Sequence, residues 1–417
     1  MSELFLQPQP RFVWAMGLSN AAYGFAFAVV LVTMPQVLAA HGVSEPAIAG
    51  YTALASTASL FTFLIAPVLD TMISRRAWSV VLVVTSAVLS AVTLGLSASS
   101  PLVAPLLMVD ALVFVLLTTA FGGWLGAALG KDLDDTIGTW FAIGNAVGFG
   151  LGAATQYSLI TALPAPIGQI VVGLLVLVPL GVVPLIPVPD SGRKAVRESF
   201  GDLARDLTVL IRQPLVLRIG VMFAMPCAAF TLTNAFGGLG PDFHVSAQMI
   251  DAANGFGATG VGLCAALVGR LILRRLHAPL LYLAIGTVGA CFTALVIGLP
   301  HTPWVYLLAV AGENASQSIA QVSQNAIIFA SIRRGSPVAA SQFGLLSAAI
   351  LLPYSYMLAL DGYGYHLVGN VAGSFWMDAG VSLLGCAILF VPVLRWMRSG
   401  QLTAPDDEEP VGAALPG

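Results

Sequence analysis

Two carboxyl groups stand where a polypeptide seldom keeps any. Asp110 and Glu313 each lie well inside an apolar run that contains no Lys or Arg. An ionisable group held away from water is costly, and is kept where it has a task. A buried carboxyl without a cation beside it can load and release a proton, so proton transfer is the chemistry on offer. The alternative for each is a neutral carboxyl bonded to a neighbouring helix. Glu313 also starts a polar stripe: Gln317, Gln321, Gln324 and Asn325 follow at steps of three or four, or one, with Asn314 and Ser318 beside it. Helical spacing gathers them on one side of a helix. In lipid such groups must face protein or a water-filled cavity, and a whole stripe exceeds what helix packing needs. Asn20, Tyr23, Asn145, Thr233, Asn234 and Tyr354 are further candidates for that cavity wall, each with interhelical bonding as its alternative.

The elements that must position these residues follow from composition. The chain has 417 residues, of which 58% are hydrophobic and 9% charged, and its mean hydropathy is +0.90. Soluble domains carry about 25% charged residues, so this chain cannot coat a water-facing surface and its solvent is a bilayer. A net charge of −3 excludes a basic nucleic-acid binder. The four cysteines (Cys227, Cys264, Cys291 and Cys386) sit in apolar runs without CxxC spacing and read as packing residues. No P-loop, HExxH or GxSxG pattern occurs, so neither an ATP-driven pump nor an enzyme is indicated, and no cofactor is expected. Breaks at Pro, Gly and charge divide the chain into twelve spans: 11–40, 47–69, 78–97, 101–126, 137–160, 166–188, 216–239, 248–272, 279–299, 302–330, 338–360 and 370–396. The first is too long for the core of a signal peptide and is kept as a span. At 1.5 Å per residue, Asp110 and Glu313 sit roughly 14–18 Å from one membrane face, near the midplane.

With twelve spans, all seventeen Lys and Arg residues fall on the side that holds both termini. The positive-inside rule makes that side the cytoplasm. The loop at 189–215 divides the chain near its middle. Val196, Phe200, Leu203, Leu207 and Leu210 recur there at helical spacing among Arg197, Glu198, Asp202, Arg205 and Asp206, which predicts an amphipathic helix lying on the membrane.

The two sides of this loop are weakly similar at an offset of 202–206 residues. Pro35 and Gly50 match Pro241 and Gly255, and Trp140–Ala146 matches Gln342–Ala348. Asp110 and Glu313 are 203 residues apart and so occupy corresponding places. An offset of six spans preserves orientation. The expected fold is therefore an all-α integral membrane protein of twelve transmembrane helices in two parallel six-helix repeats, residues 1–188 and 216–398, joined by the cytoplasmic linker 189–215 and followed by a cytoplasmic tail, 399–417. This plan resembles the major facilitator superfamily, which implies solute binding at the midplane between rocking halves. Asp70, Arg75 and Arg76 stand where that superfamily's loop motif places an acid and bases, which implies a conformational latch.

Within the superfamily, Phe63–Asp70 with Arg75-Arg76, and Ala340–Ala348, resemble the AmpG-like branch of peptide–acetyl-CoA transporters. That resemblance covers nearly the whole chain in layout. It implies a proton-driven importer of the bacterial inner membrane, working as a monomer on muropeptide-like or siderophore-like solutes. The branch's acidic group late in span four is replaced here by Thr118–Leu125, and Thr71 stands where an Arg is usual. With few cationic residues toward the cavity, a neutral or zwitterionic organic solute fits better than a highly anionic one. The alternatives are a proton antiporter exporting drugs or metabolites, and a sensor that binds solute without moving it.

Overall fold

The computed structural model describes residues 12–43, 47–48, 50–51, 54–55, 57, 61–70, 73–129, 133–187, 205, 208–333 and 336–403. Its elements are helical. α1 is Val13–Ala40, α3 Arg75–Leu94, α4 Val103–Ala128, α5 Asp134–Ala162 and α6 Ile167–Leu185. α2 ends as Thr62–Ile65 and Ala66–Asp70. α7 is built from Pro214–Ala224 and Leu232–Leu239, and α8 from Ala247–Ala252 and Ala253–Leu273. α9 is Ala278–Ile297, α10 Pro303–Ser331, α11 Ala339–Val368 and α12 Val371–Arg398. Nine of these, among the described residues, are long and apolar enough to cross a membrane. The 29-residue α10 is long enough but falls outside that group, because Glu313 and its amide stripe lower its hydropathy. The linker positions Val196, Phe200, Leu203 and Leu207 lie outside the described residues, as do Thr71 and the tail beyond residue 403.

Two departures from regular helix shape the surroundings of the buried acids. α7 is interrupted over residues 225–231. Pro226 disfavours helical backbone at the residue before it, and Met225 is extended at ψ 147°. The interruption continues through Phe230, whose φ of 51° lies in the left-handed region, a strained state for a bulky side chain that its surroundings must hold. α11, in contrast, runs two turns beyond the expected end at residue 360, which places Asp361 inside a helix.

Packing within each run of six helices is tight where side chains are small. In α1 and α5, a Cβ on Gly24 would collide with the Asn145 carbonyl oxygen, and one on Gly148 would collide with that of Ala21. Without a hydrophobic drive between helices in lipid, such backbone approach is what holds them together. Between the two runs, α5 packs on α8 and α10, and α2 and α4 pack on α11. Phe141 and Phe343, which correspond in the repeat, meet edge to face at 5.7 Å, and Phe329 closes the group at 5.5 Å from Phe141.

Candidate functional site

Asp110 and Glu313 correspond in sequence, and the repeat extends to their partners. Ser90 donates to Asp110 Oδ2 at 2.9 Å, and at the same offset of 203 residues Thr293 Oγ1 donates to Glu313 Oε1. Each bond joins the third helix of its half to the fourth. The difference lies one turn away. Ser86 donates to the other oxygen of Asp110 at 3.0 Å, while the corresponding position 289 is glycine. Asp110 is fully buried with both oxygens bonded to α3. Glu313 is 2% exposed, and its Oε2 has no hydrogen-bond partner among the described residues.

Two further acids stand near Glu313, within electrostatic range: Asp378 on α12 and Asp361 on α11, each 2% exposed. Thr231, at the end of the α7 interruption, lies between them, 2.6 Å from Asp361 Oδ2 and 3.2 Å from Asp378 Oδ1. Asp378 is visible in the sequence as an acid in span twelve. Asp361 carries no such signal, because the apolar run of span eleven stops at residue 360.

The polar residues expected to line a cavity divide into two groups. Tyr354 accepts from Gln317 Nε2 at 3.1 Å and stands within electrostatic range of Tyr23 across the two halves. Tyr23 stacks on Phe27 at 5.4 Å and meets Phe114 edge-on at 5.4 Å. Asn145 is half-buried, and its Oδ1 is without a partner among the described residues. Gln321 is half-buried, and Gln324 bonds to Tyr282. Gln317 and Tyr354 with Tyr23 thus bring α10, α11 and α1 together, and Gln324 with Tyr282 brings α10 to α9. The others are committed elsewhere. Asn20 donates to the Phe141 carbonyl at 3.1 Å and accepts from Thr118 at 2.8 Å. Asn325 donates to the Gly138 carbonyl at 3.4 Å, and Asn314 to that of Val310 in its own helix. Thr233 bonds the Phe230 carbonyl at 2.7 Å, closing the α7 interruption. The Asn234 side chain lies outside those described.

At the arginine-bearing end, Asp70 joins the halves. It accepts from the backbone N–H of Ala340 (3.1 Å) and Ser341 (2.8 Å) and from the Ser341 hydroxyl (2.7 Å), all in the first turn of α11. A carboxylate there satisfies free N–H groups and meets the positive end of the helix dipole. Arg75 pairs with Asp70 at 3.0 Å and donates to the Ser336 carbonyl. Arg76 is exposed and takes no part in these bonds. Arg270 lies over the Trp140 ring at 5.7 Å, a second tie between the halves at this end. Asp70→Ala is expected to weaken this closure by about 1–3 kcal/mol, the cost of stranding a buried donor set. Spin-label distances between α2 and α11 at this end should lengthen; an unchanged distribution would count against the contact as a closure.

No family model and no curated protein matches the chain. Solved structures do match, over nearly the whole length. The major facilitator superfamily proton:xylose symporter XylE, bound to 6-bromo-6-deoxy-D-glucose, is 13% identical, with TM-score 0.65, over 92% of this chain and 96% of that one. The human organic anion transporter MFSD10 (TETRAN) is 17% identical, with TM-score 0.64, over 91% and 100%. The major facilitator superfamily transporter FucP, in the outward conformation, is 14% identical, with TM-score 0.65, over 91% and 98%. At such identities the agreement lies in the path of the helices, and this chain has the all-helical fold of the major facilitator superfamily.

Proposed function

We propose that the chain is a secondary active transporter of the bacterial cytoplasmic membrane that takes up a neutral or zwitterionic organic solute with protons, by alternating access between halves 1–188 and 216–398. The observation that carries this reading is Glu313: a buried carboxyl, half of it unpartnered among the described residues, on the same helix as the Gln317 amide that reaches Tyr354, itself near Tyr23. Lys and Arg are absent between Arg275 and Arg333 and between Arg334 and Arg395, so α9–α11, and α12 before its last turn, offer no fixed cation for this acid or for an anionic solute. The contacts of α11 with α2 and α4, and of α5 with α10, support closure at the end holding both termini. With the termini in the cytoplasm, as the placement of Lys and Arg indicates, this is an outward-facing form. Asp70 and Arg75 are the latch of that form. Asp110, with a serine on each oxygen, serves the junction of α3 and α4, and the proton falls to Glu313.

Uptake into proteoliposomes tests the reading, with muropeptides and siderophores as the first candidates. Accumulation should follow an inward pH gradient and collapse when an ionophore dissipates it. Uptake indifferent to the gradient would sink the coupling. Accumulation only against an outward proton flux would make the protein an exporter.

A further inference from the structure

The pair Asp361 and Asp378 has a use that Glu313 does not cover. Thr231 Oγ1 lies 2.6 Å from one carboxyl and 3.2 Å from the other. A hydroxyl has one hydrogen. It donates to one carboxyl and can only accept from its second partner, and an ionised carboxylate has nothing to donate. Two carboxylates around this hydroxyl would leave one bond unmade and two like charges in a dry place. No Lys or Arg occurs in the sequence between Arg218 and Arg270, Arg275 and Arg333, or Arg334 and Arg395 to compensate them. The ionisable groups that bear on one another here are Glu313 from α10, Asp361 from α11 and Asp378 from α12, while α7 and α9 contribute hydroxyls, Thr231 and Thr293. Asp361 Oδ1 is also buried without a partner among the described residues.

We propose that Asp361, Thr231 and Asp378 form a second proton site, separate from Glu313, in which one proton is held between two carboxyl groups across a hydroxyl. Asp378 carries the proton and donates it to Thr231 Oγ1; Thr231 donates its own hydrogen to the Asp361 carboxylate, over the shorter distance. Passing each hydrogen one bond along moves the proton from Asp378 to Asp361 and leaves the hydroxyl intact, so the chain is a relay as well as a store. Of the oxygens of these three acids, Asp361 Oδ1 and Glu313 Oε2 are buried without a partner among the described residues. Among those residues no three His, Cys, Asp or Glu are grouped to hold a metal ion. The bridge is also placed to respond to motion. Thr231 belongs to the interrupted stretch of α7, and its partners belong to α11 and α12. A change in the angle at that interruption alters both distances and so the hold on the proton. Its use in transport rests on the proton-coupled function proposed for the chain; its occupancy does not.

Infrared pH-difference spectra of the purified full-length protein in lipid membranes test the site without any solute. The protonated-carboxyl C=O region should show two separable signals. Glu313→Gln should remove one and spare the other. Asp378→Asn or Asp361→Asn, each leaving an amide to bond Thr231, should remove the second. Thr231→Val should shift the midpoint of that second signal, and Thr231→Ser should restore it. The proposal is overturned if both Asn variants leave the spectrum unchanged, if Glu313→Gln removes the whole signal, if Thr231→Val leaves the midpoint in place, or if sodium added at constant pH abolishes the second signal, which would make this a cation site. Uptake that ignores a pH gradient while both signals persist overturns the coupling and leaves this site standing. A missing second signal with gradient-driven uptake intact overturns this site alone.

Discussion

Glu313→Gln is expected to abolish gradient-driven accumulation while solute exchange across the membrane continues. Glutamine keeps the length of the side chain, and its amide oxygen still accepts from Thr293, so the junction of α9 and α10 survives. The substituted group cannot release a proton at any accessible pH. Accumulation then falls to the level of passive equilibration, whatever the gradient. Exchange persists because moving a loaded site from one side to the other never requires deprotonation. Uptake and counterflow on the same vesicles, with an internal pH dye to report proton entry, separate the two. A normal response to the gradient would remove Glu313 from the mechanism.

The second large effect is conformational. A Cβ on Gly123 would collide with the Cα of Ala340 and lie 2.6 Å from its backbone nitrogen. Backbone on both sides of the contact cannot rotate out of the way as a flexible side chain does. Gly123→Val therefore obstructs the α4–α11 approach and should favour opening at the arginine-bearing end. Overpacking typically costs about 1–3 kcal/mol, which moves a two-state ratio by roughly 5- to 150-fold. Cysteine labelling at that end should accelerate to match, and spin-label distances between α4 and α11 should lengthen. Faster labelling at the opposite end would mean that the contact does not belong to the closed gate. Asp70→Ala acts on the same face from a different direction, so the two variants together should open it further than either alone.

The helices are legible in the sequence because lipid imposes a simple rule, and except at the end of α11 the apolar runs end within a few residues of the helices. Asp70 with Arg75 is legible for a similar reason: charge next to an apolar run marks its end, and the acid closes one run five residues before the base that opens the next. By depth and repeat position the sequence treats Asp110 and Glu313 as equals, and it sets Glu313 apart only by the polar stripe that follows it. Their difference lies in Ser86 against Gly289, residues on neighbouring helices, and a one-dimensional reading does not pair helices. Asp361 is hidden because an acid looks like the edge of the membrane; the helix continues past it because Thr231 takes the place of water. The interruption of α7 has its signal in Pro226, but proline is common inside membrane helices and does not by itself announce several unwound residues. Phe230 in the left-handed region has no sequence signal, since it is held by its neighbours and not by its own preference.

The glycine at 289 bears on how the two halves differ. A Cβ there would collide with the Phe230 ring, so the space that a second hydroxyl would need is filled. Placing serine at 289 to copy the N-terminal half would displace Phe230 from the backbone state that carries Thr231 to its two acids. The asymmetry is thus interlocked and not a single exchange. In a molecule built from two copies of one plan, one copy ties both oxygens of its carboxyl to serines, while the other leaves one oxygen without a partner among the described residues and fills the place of the second hydroxyl with Phe230.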